Sequence, residues 1–252
     1  MEVSVKLFPI AVPVLLLLVT IAGSAQVERL ELRKLRAESL VKASRYDEGI
    51  AGYQAILQEH PLTPKEKGEL YVFIGEAYAL NGQLESAVEN LKKAIELDQG
   101  NPTYAHILAQ CFAIAGYSEE AMVYYKKALG WDPENAALMN NAAWFISQNG
   151  GDLDEALRLA QTAVRKKPDW DEVHDTLGWI YLKKHETGRA VSVFQKLVEK
   201  QRTNAAYHYH YALALAQSGD KTAALNHLDL ALSNEPDEEL ELQIHAMIRT
   251  LS

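Results

Sequence analysis

Apolar and polar residues recur along most of the chain with the period of an α-helix, in segments of about a dozen residues that are separated by short polar turns. In residues 175–204, Gly178 and Tyr181 share a face of one predicted helix, and Ala190 and Phe194 share a face of the next. The small residues stand where two helix backbones must come close, and the bulky residues fill the space beside them. The segment therefore predicts two helices that pack together across a turn.

The same pattern recurs in six copies, spaced by about 34 residues. A proline follows the second helix in four of the six copies, at Pro61, Pro133, Pro168 and Pro236. Self-similarity at this period indicates a stacked-helix solenoid, in which no unit can bury its apolar face alone. The small residues of the first helices are Ala37, Gly75, Ala109, Ala143, Gly178 and Ala212, and those that open the second helices are Gly49, Ala87, Ala121, Ala156, Ala190 and Ala224.

The segments LGWIY with RAVSVF, and IGEAYALNGQLESAVENLKKAIELD, resemble the signature of the tetratricopeptide repeat family over roughly residues 30 to 238. The resemblance implies an all-α, right-handed superhelical solenoid of about six helix-turn-helix repeats with a C-terminal capping helix. The last repeats, which end in YHYHYALALAQSGDKTAALNHLDLALSNEPD, more loosely resemble those of bacterial envelope proteins that assist polysaccharide export or outer-membrane assembly. The predicted repeats are 30–63, 68–101, 102–135, 136–170, 171–204 and 205–238, followed by a cap over 239–252.

Two further patterns refine the array. Thr63, Pro64 and Glu66 stand as N-cap, N1 and N3 of a helix, which predicts a capping box. In the cap, Leu240 and Ile244 belong to an apolar face that continues with Met247 and Leu251. No glycine- or serine-rich linker interrupts residues 26–252, so we predict one continuous body.

Residues 1–25 differ from the rest of the chain. Lys6 precedes the uncharged, apolar run 7–21, and small residues at Gly23 and Ala25 suit cleavage before Gln26. We expect a secretory signal and an exported chain, periplasmic or secreted.

An uncleaved anchor is the alternative, because residues 7–27 carry no charge and are about long enough to span a bilayer. The repeats of an anchored chain would be exported or cytoplasmic. Arg29, Arg33 and Arg36 outnumber Lys6, and the positive-inside rule then favours the cytoplasmic orientation.

The net charge of −9 argues against a nucleic-acid partner, which requires a basic stripe, and against general adhesion to anionic lipid headgroups. We therefore expect protein partners, with membrane contact only through an uncleaved N-terminal segment.

The candidate chemistry is sparse. Cys111 is the only cysteine and lies beside Phe112, so we expect a small core residue and no intrachain disulfide. His208 and His210 are two residues apart and point to different sides of a helix, which excludes their chelating one metal ion. The chain has no GxSxG, HExxH or glycine-rich phosphate motif. We expect no catalysis, no cofactor and no metal, and an enzyme with an unrecognised site is a remote alternative.

The family resemblance implies a concave groove that binds a partner. One stripe of residues on the first helices lines this groove. Trp144, Trp179 and Tyr209 would form an aromatic track on successive repeats, suited to anchoring a partner peptide or helix. The alternative is that each tryptophan packs against its neighbouring repeat. The groove residues are His106, Gln110, Asn140, Trp144, Asp175, Trp179 and Tyr209, and the more charged stripe of the N-terminal half holds Glu31, Lys34, Glu38, Glu69 and Glu76.

Members of the family that bind chaperones grip a terminal carboxylate with lysine and asparagine at set positions. Lys34 matches that pattern, but Glu38 and Phe73 stand where asparagines are required, so the clamp is absent. We expect a non-catalytic adaptor of the cell envelope. The alternative is a membrane-anchored assembly factor of a transport or cytochrome-maturation complex.

Overall fold

The computed structural model describes residues 29–59 and 61–251, and these form thirteen helices and no strand. The predicted signal or anchor segment, residues 1–25, lies outside the described residues. Within the described residues, no helix combines the length and the apolar character needed to cross a membrane.

The helices fall into two compact units, of which the first ends at Ala115 and the second begins at Gly116. This boundary lies inside the predicted third repeat, 102–135, so one continuous body stays a prediction. Unit 1 contains α1 over residues 29–42, α2 (Tyr46–Glu59), α3 (Pro64–Leu80), α4 (Leu84–Leu97) and α5 (Pro102–Ile114). Unit 2 contains α6 (Ser118–Trp131), α7 (Ala136–Gln148), α8 (Leu153–Lys166), α9 (Asp171–Lys183), α10 (Thr187–Lys200), α11 (Ala205–Ser218), α12 (Lys221–Ser233) and α13 (Glu238–Leu251).

The helix ends follow from local residue chemistry. The Thr63 side chain accepts from the backbone N–H of Glu66, whose carboxylate accepts from the backbone N–H of Thr63, so the predicted capping box is confirmed. Asn135 caps α7 by accepting from two backbone N–H groups. At the other end of a helix, Gly219 closes α11 with φ of 93°, a left-handed conformation that favours glycine.

In unit 1, the small residues lie where helices come closest, as predicted. A Cβ added to Gly75 on α3 would stand 2.7 Å from Cγ of Leu91 on α4. Tyr53, Ile56 and Leu70 are buried in the same unit. Close approach at a glycine thus lets two helices share a core that neither could bury alone.

Unit 2 repeats this arrangement. A Cβ on Gly178 would stand 2.8 Å from the ring of Phe194, which is fully buried between α9 and its neighbours. The predicted cap is confirmed as a packed helix, because Ile244 of α13 is buried in a cluster with Ala212 and Leu228.

The first helices of the predicted repeats also lie side by side within each unit. In unit 1, α3 packs against α5, and in unit 2, α9 packs against both α7 and α11. Residues at matching positions on neighbouring first helices are therefore brought together on one surface.

Candidate functional site

Two tryptophans from neighbouring helices form the centre of a surface on unit 2. The ring centroids of Trp144 on α7 and Trp179 on α9 lie 5.5 Å apart, and the rings are tilted by 46°. This is the separation of a favourable aromatic pair. Trp144 remains 36% exposed and Trp179 is partly buried. The pair thus packs between helices and still presents indole surface to a partner.

On α11, the ring in contact with the tryptophan pair is that of His210. Its centroid lies 5.1 Å from that of Trp179, and the ring of Tyr209 lies 5.9 Å from His210. Tyr209 therefore stands one ring further along than the sequence pattern places it. We call Trp144, Trp179, His210 and Tyr209 the aromatic track.

A hydrogen bond fixes the histidine in this track. The Nδ1 of His210 lies 2.7 Å from Oδ1 of Asp175, which is one helical turn before Trp179 on α9. Both side chains are largely buried, so the contact is shielded from water. Asp175 thus orients the His210 ring against Trp179 and adds a negative charge beside the track.

Two polar atoms beside the pair lack hydrogen-bond partners. They are Oδ1 of Asn140, whose side chain is only 7% exposed, and Nε1 of Trp179. Asn140 lies one helical turn before Trp144 on α7. A buried polar atom without a partner costs free energy, roughly 1–3 kcal/mol, so such atoms call for a physical explanation. Both atoms are enclosed in the free chain, so a partner group reaches either of them only when a neighbouring side chain moves.

A positive charge completes the surroundings of the track. The Nζ of Lys183 lies 5.1 Å from the centroid of the Trp179 ring, within the range of a cation–π contact. With Asp175 on the other side, the track offers apolar, hydrogen-bonding and charged groups within two turns of α9.

His106 and Gln110 belong to α5 of unit 1, apart from the other five predicted residues, which lie in unit 2. Burial lowers the pKa of His106. Gln110 is exposed and lines a groove of about 500 Å³ within unit 1.

This unit 1 groove is formed by α1, α2, α3 and α5. Its wall is mostly apolar, although the sequence pattern indicates a charged stripe there. Glu38 and Glu76 line it, but the Glu38 carboxylate is held by Nζ of Lys42 at 2.6 Å. The remaining lining residues are Val41, Tyr53, Phe73, Ala77, Ala79, Leu80, Ile107, Gln110, Cys111 and Ile114.

Sequence reasoning missed two parts of these surfaces. The sequence pattern raises His210 only as a candidate metal ligand, although it follows Tyr209 directly and α11 lies beside α9. The predicted stripe does not include Phe73, Leu80 and Ile114. A pattern of apolar residues at the positions that face the next first helix could have identified them.

In the described part of the chain, the placement of the metal-ligating side chains and of the cysteine bears on metal and thiol chemistry. Among residues 29–59 and 61–251, no three His, Cys, Asp or Glu side chains are placed to hold a metal ion. Cys111 is buried as predicted, and burial together with the charge of Glu76 raises its pKa to about 11.

Known proteins place these observations in a family context. A model of the tetratricopeptide repeat matches residues 66–237. The type IV pilus assembly protein PilF of Pseudomonas aeruginosa is 26% identical over 187 residues, which cover 72% of this chain and 74% of PilF. Other curated relatives are longer proteins, of which the chain spans between 5% and 45%.

Solved structures share the fold. A tetratricopeptide repeat protein of Parabacteroides merdae superimposes with a TM-score of 0.74 at 14% identity, covering 84% of this chain and 83% of that one. YrrB, described as a TPR protein with an unusual peptide-binding site, gives a TM-score of 0.56 at 23% identity and covers 77% of this chain and 96% of its own. The predicted all-α solenoid class is confirmed, and the chain belongs to the tetratricopeptide repeat family.

Proposed function

We propose that this chain is a non-catalytic scaffold of the cell envelope that binds a segment of a partner protein along the aromatic track. The observation that carries the proposal is the Trp144–Trp179 pair, which is packed at 5.5 Å and yet partly exposed. Large aromatic side chains in this state are the usual anchors of protein interfaces.

The polar atoms around the pair suit an extended peptide. Both atoms are covered in the free chain, so binding must first move a neighbouring side chain; Oδ1 of Asn140 can then accept from a peptide N–H, and Nε1 of Trp179 can donate to a peptide carbonyl. Binding would supply both atoms with partners and would remove indole surface from water. The arrangement recognises a main chain as well as apolar side chains.

Two relatives support the kind of partner and its place. YrrB, which shares this fold, is a TPR protein with a peptide-binding site. PilF is a type IV pilus assembly protein, and the match spans most of both chains. We infer a partner within an envelope assembly machine, such as those for pili, polysaccharide export or outer-membrane components, and an exported location of the repeats.

The test is affinity capture from membrane and periplasmic fractions with the full-length chain tagged after Ser252. The variant pair is Trp144→Ala with Trp179→Ala, and the matched control is Trp131→Ala. Trp131 is 38% exposed at the end of α6, and none of the ring contacts that define the track involves it. Each track substitution should weaken binding of the captured partner by about 1–3 kcal/mol.

The same variants are compared by thermal unfolding. A stoichiometric partner that is lost with the track substitutions and kept with Trp131→Ala supports the scaffold. If the track variants bind normally and melt several degrees lower, the tryptophans serve packing between repeats and the binding surface lies elsewhere.

A membrane-anchored assembly factor is the second candidate, favoured by the absence of charge over residues 7–27. Intact mass measurement of the chain from membranes separates the two. A chain that retains Met1 is anchored, and one that begins at Gln26 is released by signal cleavage.

A further inference from the structure

Several exposed apolar side chains line the unit 1 groove. Leu80 is 63% exposed, Ile114 is 73% exposed and Phe73 is 39% exposed, and all three line the groove. The ring of Phe73 stacks on Tyr53 at 5.4 Å, which fixes the floor of the groove. Contiguous apolar side chains of this kind mark interaction sites on soluble proteins.

One carboxylate within this apolar wall is left without a partner. No hydrogen bond or ion pair reaches Glu76 from the described residues, whereas Glu38 in the same groove is bound by Lys42 at 2.6 Å. Burial raises the pKa of Glu76, and its charge helps to raise the pKa of Cys111 and of Tyr53. A carboxylate partly withdrawn from water without a counter-charge is unfavourable for folding, so folding alone gives no reason for an acid at this position.

We propose that the unit 1 groove binds a partner-protein segment whose apolar side chains flank one lysine or arginine, and that this cation pairs with Glu76. The inference rests on the proposed function, because it names the partner chemistry at a second surface of the same scaffold. The apolar residues of the segment would cover Leu80, Ile114 and Phe73.

Charge complementarity selects this occupant over others. An entirely apolar segment would bury Glu76 further without a counter-ion, and an acidic segment would be repelled by Glu76, while Lys42 offsets the charge of Glu38. Lysine and arginine lay their aliphatic stems along apolar surface and carry the charge at the tip, which fits a carboxylate set among leucine, isoleucine and phenylalanine side chains. The ion pair would also gain strength from the lowered dielectric of a covered groove.

The experiment selects random displayed peptides of about 12 residues, close to the length of one helix, on the immobilised full-length chain. Dissociation constants of the enriched peptides are then measured with four variants. Glu76→Gln removes the charge at constant shape, and Glu89→Gln is its control, an exposed glutamate on α4 outside the groove. Leu80→Ala with Ile114→Ala truncates the apolar wall, and Trp144→Ala disables the aromatic track.

The expected result is enrichment of peptides with one cation between apolar residues, which bind Glu76→Gln about 10-fold more weakly. Glu89→Gln should bind them as the wild type does, and the Leu80/Ile114 variant should bind them more weakly. Thermal unfolding of each variant confirms that it is folded.

Other outcomes overturn the inference in distinguishable ways. Peptides that depend on Trp144 and are insensitive to Glu76→Gln refute the cation pairing and leave the proposed function standing. Enrichment of no peptide, or of peptides sensitive to neither surface, removes both proposals. Displacement of the selected peptides by a synthetic peptide of residues 1–25, or a dimer abolished by the Leu80/Ile114 variant, identifies the occupant as this chain itself.

Discussion

Nδ1 of His208 on α11 lies 2.9 Å from Nδ1 of His227 on α12, and Nε2 of His208 lies 2.9 Å from the main-chain oxygen of Arg202. Because a carbonyl oxygen only accepts, Nε2 of His208 carries the proton. Nδ1 of a neutral His208 is then the acceptor, and Nδ1 of His227 donates to it. The rings stack at 5.2 Å, and Tyr211 lies 4.5 Å from His227, so the pair is enclosed by aromatic side chains.

This pair predicts acid sensitivity of unit 2. Burial, followed by the proximity of His208, lowers the pKa of His227 below 6.5. The unfolded chain therefore binds more protons than the folded chain as pH falls through about 6.5, and stability falls with it. Thermal unfolding should occur at a lower temperature at about pH 5.5 than at about pH 7.5. His106, whose pKa burial also lowers, adds to the same trend in unit 1.

A histidine variant localises this effect. His227→Gln should reduce the change in melting temperature between the two pH values. Equal slopes for the wild type and His227→Gln would show that His227 contributes nothing to the acid sensitivity.

Gly178→Ala should destabilise the fold. The added Cβ would stand 2.8 Å from the fully buried ring of Phe194 and 3.1 Å from Cγ1 of Val193, so α9 and α10 must separate or the ring must move. Overpacking of this kind costs about 1–3 kcal/mol, more than alanine gains in helix propensity. Urea unfolding followed by circular dichroism measures the difference.

Gly188→Ala is the matched control. Gly188 lies in the first turn of α10 and a Cβ there would meet no atom within 4 Å. The substitution should therefore be neutral or stabilise the chain by up to about 1 kcal/mol. A stable Gly178→Ala variant would mean that Phe194 has a second acceptable position.

The sequence pattern predicts the positions whose role is set by neighbours along the chain. Gly75, Gly178 and Ala190 recur with the period of the repeat because close helix approach demands a small side chain at one point of every pair. The capping box at Thr63 is predicted for a related reason, since its atoms lie within four consecutive residues. Such local rules are readable without coordinates.

The contacts within the candidate surfaces cannot be derived from such local patterns. The contact of His210 with Trp179 and the isolation of Glu76 depend on which side chains from three helices meet, and helical period alone does not specify this. A one-residue difference along α11 exchanges Tyr209 for His210 beside Trp179. The pattern thus finds the stripe but not the partners of each residue on it.

Glu76→Gln should stabilise the folded chain at neutral pH. Since burial raises the pKa of Glu76, the ionised carboxylate is less favourable in the folded chain than in the unfolded chain. Removal of the charge should gain roughly 0.5 kcal/mol, a small value because the side chain keeps some contact with water. The gain should shrink as pH falls through the folded-state pKa, where the wild-type carboxyl takes up its proton.

Thermal unfolding of Glu76→Gln and Glu89→Gln beside the wild type checks this. Glu89→Gln should leave the melting temperature unchanged. A lower melting temperature for Glu76→Gln would reveal a stabilising role for the carboxylate and would remove the premise that it is held for a partner.

Cys111 should react slowly with alkylating reagents in the native chain. It is 3% exposed, and burial and the Glu76 charge raise its pKa from 9.0 to about 11. A rise of two pKa units lowers the thiolate fraction at neutral pH by about 100-fold, and the thiolate is the reacting species. Iodoacetamide labelling at pH 7.5, followed by intact mass, should give little adduct in native buffer and one adduct in denaturant, because Cys111 is the only cysteine.

Native labelling at the rate of a free thiol would show that the wall of the unit 1 groove opens around Cys111, and the groove would then be a poor fixed site for a partner.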